Sequence, residues 1–284
     1  MALRIGINVS TAATPGTDVV GSARRAEELG FDFVSASDHL HGTHPSFETW
    51  TLLTWLAAST TRIGIVTNVL GLPYRSPAVT AKMAETLQRL SGGRFVLGLG
   101  AGGADSEFAA FGLDVRTPGQ KIDALADALA VIRALWSDES ATHEGEWYSV
   151  RDAHLTPKPD SPVPIWLGSY GPRALDLLGR TADGWLPSMP YAPPDAIPAM
   201  RDRIRAAADA ASRDPDSLTY AYNVGVHVGA QVDRKDFVSG TPTEVVDRLQ
   251  QLAGLGLDTF NLWPVGDEAE QHARIAAEVL PALR

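Results

Sequence analysis

Asp38 and His39 are adjacent titratable side chains at the end of an apolar stretch. An imidazole takes up or gives a proton near neutral pH, so a histidine there is a candidate general acid or base. The plain alternative is that it packs or bonds to backbone. His41 and His44 follow closely. Three histidines so near one another pose the question of a metal, but no carboxylate spacing typical of a catalytic metal site accompanies them. His41 and His44 are therefore read as solvent-exposed loop residues, and no metal is expected. The chain has no cysteine, which excludes disulfides, thiolate metal sites and a cysteine nucleophile. Neither a G-x-S-x-G nucleophile elbow nor a Walker A phosphate loop occurs.

Two glycine-rich runs add binding chemistry. Gly98, Gly100, Gly102 and Gly103 lack Cβ atoms and let backbone approach something flat or bulky; a tight, closely packed turn is the other reading. Their spacing departs from the G-x-G-x-x-G dinucleotide fingerprint, and no acidic residue ends a suitably placed following strand. The second run is Gly168, Ser169, Tyr170, Gly171, Pro172 and Arg173. It leads into a helix starting near Pro172. A helix N-terminus preceded by glycine and serine presents free N–H groups and a favourable dipole to an anion, and Arg173 adds a charged contact. A plain helix cap is the alternative.

These residues need a scaffold, and the scaffold signal is alternation. Leu3, Ile5, Ile7 and Val9 alternate with polar or small residues at a period of two. Strands are expected there and at 31–37, 62–69, 94–100, 164–168, 184–186, 217–228 and 260–263. Helices are expected between them, including 77–90, 118–136, 172–182, 195–212, 243–253 and 268–283. In 118–136 the residues Ile122, Leu125, Leu129, Ile132 and Trp136 form one stripe. Residues 143–148 read as a β-hairpin with a glycine turn. Eight strand-then-helix units imply parallel pairing. At 284 residues they predict an α/β fold, a single-domain (β/α)8 TIM barrel over 1–284 with a small hairpin excursion. An open doubly wound sheet has the same local pattern. In a barrel, catalytic groups lie at the C-terminal strand ends, where Asn8, Ser10, Asp38, His39, Asn68 and both glycine runs fall. Trp50, Trp55, Trp136 and Trp147 fall on helices or the hairpin and read as core or subunit-interface residues.

Composition narrows the partners. Lys and Arg number 24 against 34 Asp and Glu, a formal charge of −10. That argues against nucleic acid as a partner, which needs a basic face, but a local anion site is not forbidden. No apolar run approaches the roughly 20 residues of a membrane span. The first residues read as a strand rather than a signal peptide. The expectation is a cytoplasmic enzyme acting on a small molecule.

Several segments together carry a pattern: 26–32, 37–39, 72–78, 90–100, 182–185 and 240–242. Through them the chain resembles the luciferase-like monooxygenase superfamily and, within it, the oxidoreductases that use coenzyme F420. The resemblance implies a TIM barrel with a deazaflavin across its C-terminal mouth. By the same resemblance, Asp38 contacts the deazaflavin, and Asn68-Val69 forms a non-prolyl cis peptide behind the ring system. Gly71, Ala101, Gly102 and Ser106 match cofactor-lining positions. Gly168, Ser169, Gly171, Pro172 and Arg173 match the phosphate-holding segment. His39 matches the acid–base histidine of the family's sugar-phosphate dehydrogenases. Those enzymes carry a glutamate where this chain has Gly103 and a tryptophan where it has Thr43, so their substrate and full proton relay do not carry over. The implied activity is hydride transfer between F420 and a small organic substrate. The alternatives are an FMN-dependent monooxygenase and a flavin-binding barrel without turnover. A homodimer is implied by the resemblance and by Trp50 and Trp55.

Overall fold

The computed structural model describes residues 2–40, 42, 44–234 and 236–284; His41 and Thr43 lie outside the described residues. Among these, eight parallel strands follow one another: β1 (Arg4–Asn8), β2 (Phe33–Ala36), β3 (Gly64–Thr67), β4 (Phe95–Gly100), β5 (Ile165–Leu167), β6 (Gly184–Trp185), β7 (Thr219–Val228) and β8 (Thr259–Pro264). Each pairs with the next, and Arg4 opposite Thr259 closes the ring. The sheet is therefore a closed TIM barrel and not an open doubly wound sheet. β2, β4 and β5 are buried at every residue, because helices cover their outer face and other side chains fill the lumen.

The helices begin where local chemistry starts them. Pro77, Pro118, Pro172 and Pro242 each open a helix, a position where the missing N–H costs nothing. Thr117 with Gln120, and Thr241 with Glu244, form capping boxes. Three features were not expected from sequence. A short helix, Asp105–Ala110, follows the glycines after β4. The segments Leu70–Gly71 and Phe237–Gly240 extend the sheet beside β4 and β7. The closing helix is interrupted: Glu268–Arg274 runs into a π turn at Ile275–Val279 before a last turn at Leu280–Leu283. The hairpin is present, with strands Ala141–Glu144 and Ser149–Ala153 around the turn.

The tryptophans divide. Trp50 is core, edge-on to Phe95 with ring centroids 5.4 Å apart, which removes it from any interface. Trp136 donates to the Ala81 carbonyl at 2.9 Å, and Trp147 lies under the Arg116 guanidinium. Trp55 is exposed. No helix among the described residues is long and apolar enough to cross a membrane.

The lumen is layered. Its apolar floor is Phe33, Val66, Val96, Trp166, Leu186 and Ala221, with Phe33 edge-on to Trp166. Residues two apart on a strand share a face, so the next layer toward the C-terminal mouth takes Ser35 from β2, Gly98 from β4, Gly168 just past β5 and Asn223 from β7. Asn8 and Asn261 join it from β1 and β8. Here the interior changes from apolar to polar on one side and to glycine on the other.

Candidate active site

Above this layer the C-terminal mouth opens into a cavity of about 1260 Å³, larger than the roughly 300–1,000 Å³ of ordinary small-molecule sites. Asp38, His39, Asn68, Val69, Gly71 and both glycine runs line it apart from Gly98, whereas Asn8, Ser10 and Ser106 do not. Ser106 is exposed, because the helix Asp105–Ala110 turns Glu107 and Phe108 inward instead. Ser106 thus stands outside the cavity lining.

One wall is a shelf without side chains. The Asn68–Val69 peptide is cis, as the resemblance implied. Val69 packs against the lumen cluster and meets three glycines. A Cβ on Gly100 would stand 2.7 Å from a Val69 methyl carbon, and one on Gly168 would stand 3.3 Å from it. A Cβ on Gly98 would stand 1.8 Å from the Thr67 carbonyl oxygen. The backbones of β3, β4 and β5 thus converge on Val69 and present a low surface to the cavity. Beside it the Asn68 side-chain nitrogen Nδ2 is buried and has no hydrogen-bond partner among the described residues. A buried donor left in this way is costly unless something accepts from it.

The opposite part of the floor is self-satisfied. The Ser35 hydroxyl lies 3.1 Å from Asn8 Oδ1 and 2.9 Å from Asn261 Oδ1. Asn261 Nδ2 donates to Asn223 Oδ1 at 2.8 Å, and Asn223 Nδ2 reaches the Ser188 hydroxyl at 3.3 Å. This amide chain was missed from sequence. Asn223 and Asn261 each interrupt an apolar strand, and that interruption was the available signal.

Asp38 is at the cavity edge, but its carboxylate is engaged. It accepts from the Gly71 N–H at 2.9 Å and from Arg75 at 2.8 and 3.3 Å. Arg75 also pairs with Glu48. Burial opposes the Glu48 charge, but hydrogen bonds from Thr51 and Trp50, with Arg75 nearby, hold its carboxyl below the usual range. Asp38 therefore ties the loop after β2 to the segment after β3, and Arg75 is a partner that sequence reading did not assign.

His39 lines the cavity with its side chain 61% exposed, and its Nδ1 lies 2.9 Å from Glu107 Oε2. Glu107 is buried and was missed from sequence; its other carboxylate oxygen accepts from the Leu40 N–H. Burial, and then the Glu107 carboxylate, push the nearby Tyr74 hydroxyl up. His44 is not in the lining. Among the described residues no three acidic or histidine side chains converge to hold a metal ion.

The helix Pro172–Thr181 starts at the cavity, and no side chain among the described residues caps it. Its first N–H groups are free to meet an anion. Ser169 is buried, and its carbonyl accepts from Trp185 Nε1 at 2.8 Å. Arg173 is 63% exposed and pairs with Asp123 at 2.5 Å. The far side of the cavity is aromatic, with Phe237, Trp263 and Tyr191, alongside the paired Arg234 and Asp236.

Comparison with known proteins agrees with this architecture. The family model described as luciferase-like monooxygenase matches residues 3–234. The F420-dependent glucose-6-phosphate dehydrogenase of Microbacterium testaceum is 31% identical, over 99% of this chain and 98% of that protein. The protein of the same name from Beutenbergia cavernae is 32% identical, over 99% and 98%. Among solved structures, an F420-dependent secondary alcohol dehydrogenase in complex with an F420–acetone adduct superposes with a TM-score of 0.89 at 22% identity, covering 100% of both chains.

Proposed function

The chain belongs to the luciferase-like monooxygenase family, and from that premise we propose that it is an oxidoreductase that uses coenzyme F420 to exchange a hydride with a small organic molecule at the barrel mouth. The observation that carries this reading is the glycine shelf around Val69. A flat ring system needs a surface without side chains, and this wall is built to lack them. The unpartnered Asn68 Nδ2 beside it suits a ring-borne acceptor. The names of the two relatives favour the deazaflavin as that ring system.

When bound, the deazaflavin supplies a ring carbon, C5, that holds or accepts the hydride. The chain supplies position and proton handling. Val69, Gly100 and Gly168 support the ring from behind. Gly71, Ala101 and Gly102 bound it at the side, next to the engaged Asp38. The uncapped helix start, with Gly168, Ser169, Gly171 and Pro172, receives the phosphate. His39 holds or moves the substrate proton from the open side of the cavity. The aromatic far side, with Trp263 and Phe237, faces the organic substrate. We also propose that the barrel acts as one domain over 1–284, as a cytoplasmic homodimer. The exposed Trp55, Val79 and Leu90 on the adjacent helices Thr49–Ser59 and Pro77–Leu90 support a subunit contact there. A monomer mass by light scattering at micromolar concentration would remove the dimer.

The rival reading is an FMN-dependent monooxygenase, favoured by the description of the matching family model. Titration of the purified protein with each cofactor, followed by fluorescence quenching, separates the two. F420 is expected to bind at least about tenfold more tightly, a difference of about 1.4 kcal/mol. Tighter binding of FMN would overturn the proposal.

A further inference from the structure

The resemblance left one question at the reacting side of the cavity: Gly103 offers no side chain where the sugar-phosphate enzymes carry a carboxylate. The structure has a carboxylate next to His39 all the same. It comes from Glu107, on the inward face of the short helix Asp105–Ala110.

We propose that Glu107 is a positioning residue for His39, holding the imidazole in one tautomer so that its Nε2 faces the cavity as a proton acceptor. The inference rests on the reading of His39 as the group that handles the substrate proton. The Glu107 side chain is 6% exposed and that of His39 is 61% exposed. A buried carboxylate persists only when its oxygens are hydrogen-bonded. Those of Glu107 are directed at consecutive residues: one at the Leu40 N–H and the other at His39 Nδ1, 2.9 Å away. An ionised carboxylate only accepts. With Glu107 ionised, the proton of a neutral His39 ring sits on Nδ1, and Nε2, on the far side of the ring, keeps its lone pair for the cavity. This is the general way in which a hydrogen bond at one imidazole nitrogen sets the state of the other.

The second contact, to Leu40, fixes where the ring starts from. Glu107 thereby holds both the loop that bears His39 and the ring itself. A residue that merely stapled the loop would need the backbone contact alone. The direct contact with Nδ1 gives the two roles different signatures.

The test reads the tautomer without any cofactor or substrate. The apoprotein, labelled with ¹⁵N in its histidines, is examined by long-range ¹H–¹⁵N NMR at a pH where His39 is neutral, with His39→Ala assigning the signals. The Nδ1–H form should dominate at His39 in the unmodified protein. In Glu107→Gln the amide can turn its NH₂ toward the ring, so the Nδ1–H form should fall to a minority while the circular dichroism spectrum stays that of the folded barrel. A predominant Nε2–H form in the unmodified protein overturns the proposal even if Glu107→Gln does not fold, and so does an unchanged tautomer in a folded Glu107→Gln. With a turnover substrate, Glu107→Gln should lower kcat by roughly 10- to 100-fold and leave the dissociation constant of F420 within about twofold. Added to His39→Ala it should cost nothing more, because both act through one ring. Failure of the F420 titration, with the tautomer as expected, would instead strike the cofactor reading.

Discussion

The two sides of the barrel mouth solve the same problem in opposite ways. In the layer above the apolar lumen, β1, β2, β7 and β8 carry Asn8, Ser35, Asn223 and Asn261, joined in one chain of hydrogen bonds. At the same height β4 carries Gly98, Gly168 follows β5, and Asn68 after β3 leaves a donor unanswered. On one side the polar groups satisfy one another. The other has been emptied of side chains and left with an open donor. The difference supports the proposal that the ring system lies against β3, β4 and β5, where the backbone closes on Val69 and a buried donor has no partner among the described residues. Val69 and Asn223 both line the cavity, so its floor is shared between the two sides.

The strongest way to break the contrast is to put a side chain into the bare wall. In Gly98→Ala the new methyl carbon meets the Thr67 carbonyl oxygen at 1.8 Å, and that oxygen is backbone that also accepts no easy displacement. Overpacking of this kind costs roughly 1–3 kcal/mol and sometimes more; here the expected loss of unfolding free energy is about 3 kcal/mol, read from denaturant titration. A loss under about 1 kcal/mol would mean that β3 and β4 can separate and that the wall is not fixed.

The next test removes a link from the self-satisfied side. Asn261→Ala leaves Asn223 Oδ1 without its donor and takes an acceptor from Ser35. An unsatisfied buried polar group costs about 1–3 kcal/mol, so stability should fall by that amount while cofactor affinity changes little. If affinity falls and stability does not, the amide chain belongs to the ligand face and the contrast between the two sides fails.

How much of this was readable in the sequence follows from the range of the interactions. The eight units were legible because strand periodicity and helix starts are local: Pro77–Leu90 begins and ends where its proline and glycines place it. The glycine shelf was legible as a cluster at strand ends, although Val69 as its centre entered only by resemblance. Glu107 was not legible. It sits in a polar run with Asp105 and Ser106 that reads as solvent-facing, and its partner His39 is 68 residues away. The outward turn of Ser106 was hidden for the same reason. On so short a helix no apolar stripe shows which side turns inward, so only the packing of Phe108 reveals it. Trp50 and Trp55 lie on one helix, and composition alone does not say which of them faces Phe95.

The smallest expected effect concerns Arg173, at the edge of the bare side. From sequence it reads as a charged contact to the cofactor phosphate. The structure shows its guanidinium 63% exposed and already paired with Asp123, itself 50% exposed. Such surface pairs contribute only about 0–1 kcal/mol, and a phosphate at the helix start would have to compete with Asp123 for the same group. The helix N–H groups are open to an anion without the arginine, since no side chain among the described residues caps them. Arg173→Ala should therefore weaken F420 binding by no more than about 1 kcal/mol, roughly fivefold, and less in high salt, where exposed charges are screened. Asp123→Ala, which frees the guanidinium, should strengthen binding by a similar or smaller factor. Isothermal titration of both variants against F420 decides the matter. A loss well beyond tenfold in Arg173→Ala would show that the side chain leaves Asp123 and closes over the phosphate, making this helix start a charged clamp rather than a backbone site.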